Sequence, residues 1–455
     1  MESNFGEGES NHHVIDMWKV DPDRLASMQL KISENPKLLS KAAGRRSCCI
    51  FRVPQGLIEA NGKAYQPRIV SIGPYHRGQP RLNMIEEHKW RYLGSLLSRT
   101  QTKGLTLEKL LEAIAPLENE ARECYSETIQ LDSHEFIEMM VLDGCFIIEL
   151  FRKVGKLVPF EHGDPLITMA WILPFFYRDF LKLENQIPLF ILQRLFEISQ
   201  LPGETTALTT PTLSFLAMEF FNYSLQRPDE VINTTSSSLC TANHLLDLVR
   251  SSFVVVEETE KNRITTPTHV IHCVSKLRRA GIKLIPGKLN ESFLHVTFRH
   301  GVIEMPMITM DDFMTSFLLN CVAFEQCYSG CFTKQFTTYV TLLDCLINTY
   351  RDVEYLCDRN IIENHFGTEG EVASFINNAG KDVAVDLDLC YLSRLFNEVH
   401  EYYRNSWHVQ WASFKYTYFD TPWSFISALA ALVLLILTIG QTYFAAYDYF
   451  DGSNS

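Results

Sequence analysis

The sequence predicts a mainly helical body with a small antiparallel β element, an α+β arrangement, followed by a single-span C-terminal transmembrane helix. Three observations predict it. Apolar residues recur at helical spacing from Asn83 to about Gln200 and again beyond Thr309. Between those stretches, "LHVTF" and "VIEMP" flank Arg299-His300-Gly301 as a strand, a turn and a strand. Finally, the 27 residues from Thr421 to Tyr447 carry no charge.

Apolar residues make up 46% of the chain and charged residues 21%, which supplies enough apolar material for a real core. Lys plus Arg number 41 against 54 Asp plus Glu, a formal net charge of −13. Such a chain gains nothing from neutralising phosphates along a duplex, so nucleic acid is not an expected partner. Docking on anionic lipid by overall charge is disfavoured for the same reason. The cysteines run from Cys48 to Cys390 without a CxxC pair, and Cys321, Cys327 and Cys331 match no zinc spacing. They read as buried free thiols of a reducing compartment; no metal and no cofactor is expected.

Residues 1–45 read as a polar leader with one helix, Pro22 suiting its first position after Asp21 and Pro36 marking its limit. "MESNFGEGESNHHVI" has neither a basic n-region nor an apolar h-region, so no secretory signal is expected. Residues 46–412 form the globular domain. It opens on "CCIFRVPQGLIEANGKAYQPRIVSIGPYHRG", whose glycines and prolines predict turns and one short strand, about Arg68 to Ile72. In "NMIEEHKWRYLGSLLS", Asn83 is the natural N-cap with Glu86 at the third position, and Met84, His88 or Trp90, and Leu93 fall on one face. "SHEFIEMMVLDGCFIIELFRK" is an amphipathic helix with Gly144 as a close-packing or kink position. "LITMAWILPFFY" is a short buried helix broken by Pro174, and Pro188 should end or kink the next one near Ile187. A loop insertion follows at about 227–242, then the β-hairpin at about 293–306, with "IKLI" as a third strand. Thr309 and Asp312 make a capping box for "FMTSFLLNCVAFEQCY", and helices continue through "YLSRLFNEVHEYYRNSW".

Residues 421–447 would make a helix of about 40 Å, enough for a hydrocarbon core of about 30 Å. Between Phe425 and Gly440, ten residues are Leu, Ile, Val or Phe, including Leu432, Leu435 and Ile439. They favour insertion by roughly 3 to 6 kcal/mol. Trp423 at one end and Tyr443 and Tyr447 at the other suit the two interfaces. Arg404 and Lys415 precede the span and Asp448 and Asp451 follow it in the short acidic tail 448–455, which keeps the body cytosolic. The expected arrangement is a tail anchor, with the plasma membrane as the favoured destination.

No motif names a reaction. "RIVSIGPYHRG", residues 68–78, admits two readings: a structural corner, which Gly73, Pro74 and Gly78 suffice to explain, or a phosphate cradle touched by His76 and Arg77. "HEFIEMM" lacks the second histidine of a zinc protease. Asp386 and Asp388 in "DLDL" have no third ligand nearby. In "LENQIP", Asn185 and Gln186 should satisfy backbone freed around Pro188, and Glu184 is the one candidate catalytic carboxylate. Glu325 and Gln326 of "AFEQC" should bond between helices. Asn222, Asn233 and Asn290 open sequons that matter only if the body is exported.

Taken in order, "FRVPQGLIEANGKAYQPRIVSIGPYHRG", "NMIEEHKWRYL", "MVLDGCFIIELFR", "LKLENQIPLFIL", "HLLDLVRSSF", "RRAGIKL", "FLLNCVAFEQC", "LLDCLINTYRDVEYL" and the "YFDTPWSFISALAALVLLILTIGQTYF" ending resemble the plant-specific "domain of unknown function 247" family, also catalogued as uncharacterised protein family 0481. The likeness runs from about Cys48 to Tyr443, with Arg77 where that family's corner has His and Lys182 where Leu is usual. It implies a membrane-associated, mostly helical plant protein with no catalytic residues to carry over. Some grass relatives look like pollen-side components of self-incompatibility, which favours recognition over chemistry. The expected function is therefore a membrane-anchored interaction or recognition module with an unknown protein partner. The alternative is a membrane-bound enzyme with its site near His76, Arg77, His88 or Glu184.

Overall fold

The computed structural model describes residues 20–34, 36–161, 163–200, 212–228, 230–232, 242–255, 271–288, 291–330, 334–384, 390–404 and 422–451. Asp386, Asp388, Cys331, Asn233, Asn290 and most of the 227–242 insertion lie outside these residues.

The helix Ser133–Val154 is the axis of the body. Asp132 and Glu135 close a capping box at its start, and every residue from Met139 to Val154 is buried. From Met139 on it is therefore buried on every side, not amphipathic as expected, and such a helix has to sit inside other helices. Asn83–Thr100, Leu107–Ile114, Leu189–Ile198 and Leu213–Leu225 pack around it. Gly144 is the close-packing position rather than a kink, because a Cβ there would overlap the Leu195 side chain. The four charges the axis buries are all paired: Asp143 with Lys89, Glu149 with Arg99 and Arg152, and Lys153 with Asp164. A second group of helices, Asp312–Cys327, Gln335–Leu346, Tyr350–Asp358 and Glu369–Ala379, joins the same continuous core.

The strands are β1 (Lys283–Pro286), β2 (Thr297–Arg299), β3 (Val302–Met305), β4 (Ile308–Met310) and β5 (Ile362–Asn364). β2 and β3 form the expected antiparallel hairpin, turned by His300 and Gly301, both at positive φ. The β element is not wholly antiparallel, however. β1, the third strand, pairs parallel with β3 from the other side, and β4 and β5 make a separate parallel pair. β5 is three residues long in a charged context, too short for alternation to reveal it.

Other expectations shift for local reasons. Arg68–Ile72 is not a strand; side chains take up its backbone amides, as described below. The helix Asn83–Thr100 has no side-chain cap, because the turn Pro80–Leu82 runs straight into it. Its buried face is Ile85, Lys89, Tyr92, Leu93 and Leu96, whereas Met84 and Trp90 are each 49% exposed. "LITMAWILPFFY" splits into Pro165–Thr168 and Ile172–Asp179, and the chain stays irregular from there to Pro188, so no helix reaches Ile187. Asp311, not Thr309, caps Asp312–Cys327, accepting from the Met314 amide, while Thr309 belongs to β4. Asp21 caps Pro22–Ser33 as expected, and none of that helix is buried. Asn222 lies on a helix, its side chain bonded to the Arg227 backbone. The cysteines among the described residues are free thiols. The last helix, Pro422–Asp451, carries Asp448 and Asp451 within it.

Candidate functional site

The corner at 68–78 is built by carboxylates and amides reaching in from two helices and a turn. Asp179, at the end of Ile172–Asp179, accepts the amides of Arg68 (2.9 Å), Ile69 (2.8 Å) and Val70 (3.2 Å). The Asn185 carbonyl accepts from the Ile72 amide at 2.7 Å, and its NH2 donates to the Val70 and Asp179 carbonyls. Asp143, from the central helix, accepts from the Gly73 amide at 2.8 Å. The Lys89 ammonium bonds Asp143 and Glu86, each at 2.6 Å, and the Ser71 carbonyl. Gly73 sits at φ +74°, where a Cβ would overlap the Gln186 carbonyl. Consecutive amides of this kind form an anion-binding nest. Here the protein's own carboxylates, Asp179 and Asp143, take up the amides of residues 68–70 and 73.

His76 and Glu184 meet beneath this corner, and Arg77 does not join them. His76 Nε2 lies 3.2 Å from Glu184 Oε2, and its Nδ1 faces the Gln79 amide nitrogen at 3.0 Å. Arg52 donates to the same Glu184 oxygen at 2.9 Å, and the Val53 amide donates to the other at 2.8 Å. Arg77 instead points to the surface, 3.8 Å from Glu138 of the central helix. His88 is on the half-buried side of Asn83–Thr100 and is not part of the group. Burial pushes the Glu184 carboxyl up, but its bonds to His76, Val53 and Arg52 outweigh that and hold it below the ordinary 4.5. An ionised carboxylate with this many donors is a clamp joining residues 52–53 to 76 and 184.

That shift has a sign. The unfolded chain takes up the proton at a higher pH than the folded one, so Glu184 stabilises the fold fully above about 4.5 and loses that contribution as pH falls through the lowered folded value. Glu184→Gln should therefore lower the urea midpoint at pH 7 more than at pH 3. An equal loss at both would show that the charge of Glu184 contributes nothing to the clamp.

Asn185 and Gln186 do satisfy freed backbone, and reach further than expected. Gln186 donates to the Phe180 and Lys182 carbonyls and accepts from the Leu246 amide. Glu325 accepts from the Phe336 and Thr337 amides at the start of Gln335–Leu346 and from Arg250. Gln326 bonds both backbone groups of Ala384. These polar side chains hold segments together.

Sequence reasoning missed a cavity of about 480 Å³ lined by Lys63, Arg68, Arg178 and Lys182. Its cations come from segments more than a hundred residues apart, and only Lys182, a charge within an apolar run, carried a local signal.

The C-terminal helix presents a stretch Ile426–Ala445, 20 residues of mean hydropathy 2.0, with none of it buried. It is long and apolar enough to cross a membrane. Trp423, Leu432, Leu435, Ile439 and Tyr443 all stand exposed on it, with Phe425 near its start.

The family model DUF247, described as a plant protein of unknown function, matches residues 50–437. A UPF0481 protein of Arabidopsis thaliana is 35% identical over 443 residues, covering 92% of this chain and 90% of that relative. A putative UPF0481 protein of the same plant is 24% identical over 497 residues, covering 88% and 90%. No solved structure matches the chain.

Proposed function

The chain belongs to the DUF247 family of plant proteins of unknown function, and on that premise we propose that it is a tail-anchored recognition module, its helical body held on the cytosolic side of a membrane, the plasma membrane foremost, to bind a protein partner in signalling or self-incompatibility-like recognition. The observation that carries this is the exposed apolar helix Ile426–Ala445. A stretch of twenty uncharged, mostly apolar residues that nothing covers among the described residues calls for lipid as its solvent. Tethering raises the local concentration of the body at the bilayer, which strengthens partner binding without new contacts. The clamp at Glu184 supports recognition over catalysis, since a general base needs a free lone pair facing a substrate.

Alkaline carbonate extraction tests the anchor. The full chain should stay with the membrane pellet. Leu435→Asp, worth about 3 kcal/mol against insertion, should shift partitioning roughly 100-fold toward the supernatant. A full chain that washes off overturns the reading. Protease added to sealed vesicles should digest the body; a protected body reverses the topology.

A further inference from the structure

The 480 Å³ cavity lies among the segment around Ala64, the end of Ile172–Asp179 with the turn beyond it, and the first turns of Asp312–Cys327. Lys63, Arg68, Arg178 and Lys182 line it against Asp179 and Asp312, a balance of 4 − 2 = +2 in a chain whose net charge is −13. Neither carboxylate is free. Asp179 is taken by the amides of residues 68–70, and Asp312 accepts from Arg178 Nη1 at 2.9 Å.

The cations are left incomplete in two places. Arg178 Nε is buried with no hydrogen-bond partner among the described residues. The Lys182 ammonium, 3% exposed, donates to the Ala64 carbonyl and the Ser316 hydroxyl, each at 2.5 Å, and to no carboxylate. Burial brings that amine down to about 8, so it bears its charge near neutral pH at a cost. The fields of Asp179 and Asp312 offset part of that cost without bonding the amine, but a buried cation bonded to no carboxylate is destabilising, and an unpaired buried N–H adds to it. An oxyanion entering the cavity would relieve both. Leu319, Phe366 and Phe375 supply the apolar part of the lining.

We propose that this cavity binds a phosphate monoester bearing an apolar substituent, the phosphate among Arg178, Lys182 and Arg68 and the substituent against Leu319, Phe366 and Phe375. A phosphate monoester carries about −1.5 to −2 at pH 7 and matches the +2 lining, where a carboxylate would leave half of it unanswered. Guanidinium groups suit such oxyanions through paired, charge-assisted bonds. The same headgroup chemistry occurs in soluble phosphate esters and in phosphatidic acid, and the test separates the two. The inference holds whether or not the protein is a recognition module.

Phenyl phosphate and benzoate are titrated calorimetrically into the full chain in neutral detergent micelles. Phenyl phosphate should bind at least 10-fold more tightly than benzoate, and more weakly at pH 5 than at pH 7.5, as the phosphate loses its second charge near pH 6. Arg178→Gln should weaken it at least 10-fold. Arg68→Gln, at the exposed rim, keeps the test valid if the Arg178 variant misfolds, and should weaken it several-fold. If phenyl phosphate fails but dioctanoyl phosphatidic acid raises the unfolding temperature of the native chain and not of Arg68→Gln, the source is lipid and the assignment stands. No response to either probe, benzoate binding as tightly as phenyl phosphate, or folded Arg68→Gln binding like the native chain overturns it.

Discussion

Asp179→Ala is expected to destabilise the body by about 4 kcal/mol, the sum of leaving the Ile69 and Val70 amides buried and unpaired and the Arg68 amide partly so, at 1–3 kcal/mol each. Asp179→Asn should cost about 1–2 kcal/mol, because its carbonyl oxygen still accepts while the charge is removed. The charge is itself a burden. Burial pushes the Asp179 carboxyl upward, and the Ile69, Arg68 and Val70 amides with Lys182 only partly pull it back. Urea unfolding in neutral micelles, followed by far-ultraviolet circular dichroism, reads both variants. If alanine and asparagine cost the same, the bonds to the amides are not what holds the corner.

This residue also marks where the sequence was legible and where it was not. Helical periodicity and the uncharged terminal stretch are local properties, so the central helix, the hairpin at His300-Gly301 and the apolar terminal helix could be read directly. Gly73 was legible as a corner because glycine takes positive φ without steric cost. What fills the corner was not. An apolar run such as Arg68–Ile72 has the same pattern whether its amides pair with a strand or with Asp179 and Asn185, which come from more than a hundred residues away. Leu93 is buried on Asn83–Thr100 as expected, and the misplacing of Met84 and Trp90 there has a related cause. Trp90 is the larger apolar residue, but Lys89 is buried because Asp143 awaits it, and a hydrophobic pattern cannot anticipate a buried ion pair. Similarly, Pro188 was legible as a breaker, but the chain leaves the helix as early as Asp179 because Gln186 and Asn185 supply partners for its last carbonyls.

Lys89→Met should lower stability by about 3–5 kcal/mol, as expected when one member of a buried ion pair is removed and the other is stranded. The lysine is 1% exposed, and its ammonium ties Asn83–Thr100 to Asp143 of the central helix and to the Ser71 carbonyl of the corner. Loss of packing and loss of charge balance can be told apart by a second change. In Lys89→Met/Asp143→Asn the fully buried carboxylate is gone, leaving only the partly exposed Glu86 without its cation, and the asparagine carbonyl still accepts from the Gly73 amide. The double variant should therefore recover about 1–3 kcal/mol relative to the sum of the single losses, the range seen for directly coupled neighbours. Additive losses would mean that the ammonium acts through Glu86 and the Ser71 carbonyl and not through Asp143. Recovery would identify the pair as a device for register: an apolar residue at position 89 could slide along the central helix, whereas an ammonium bonded to Asp143, Glu86 and the Ser71 carbonyl fits one alignment of helix, helix and corner.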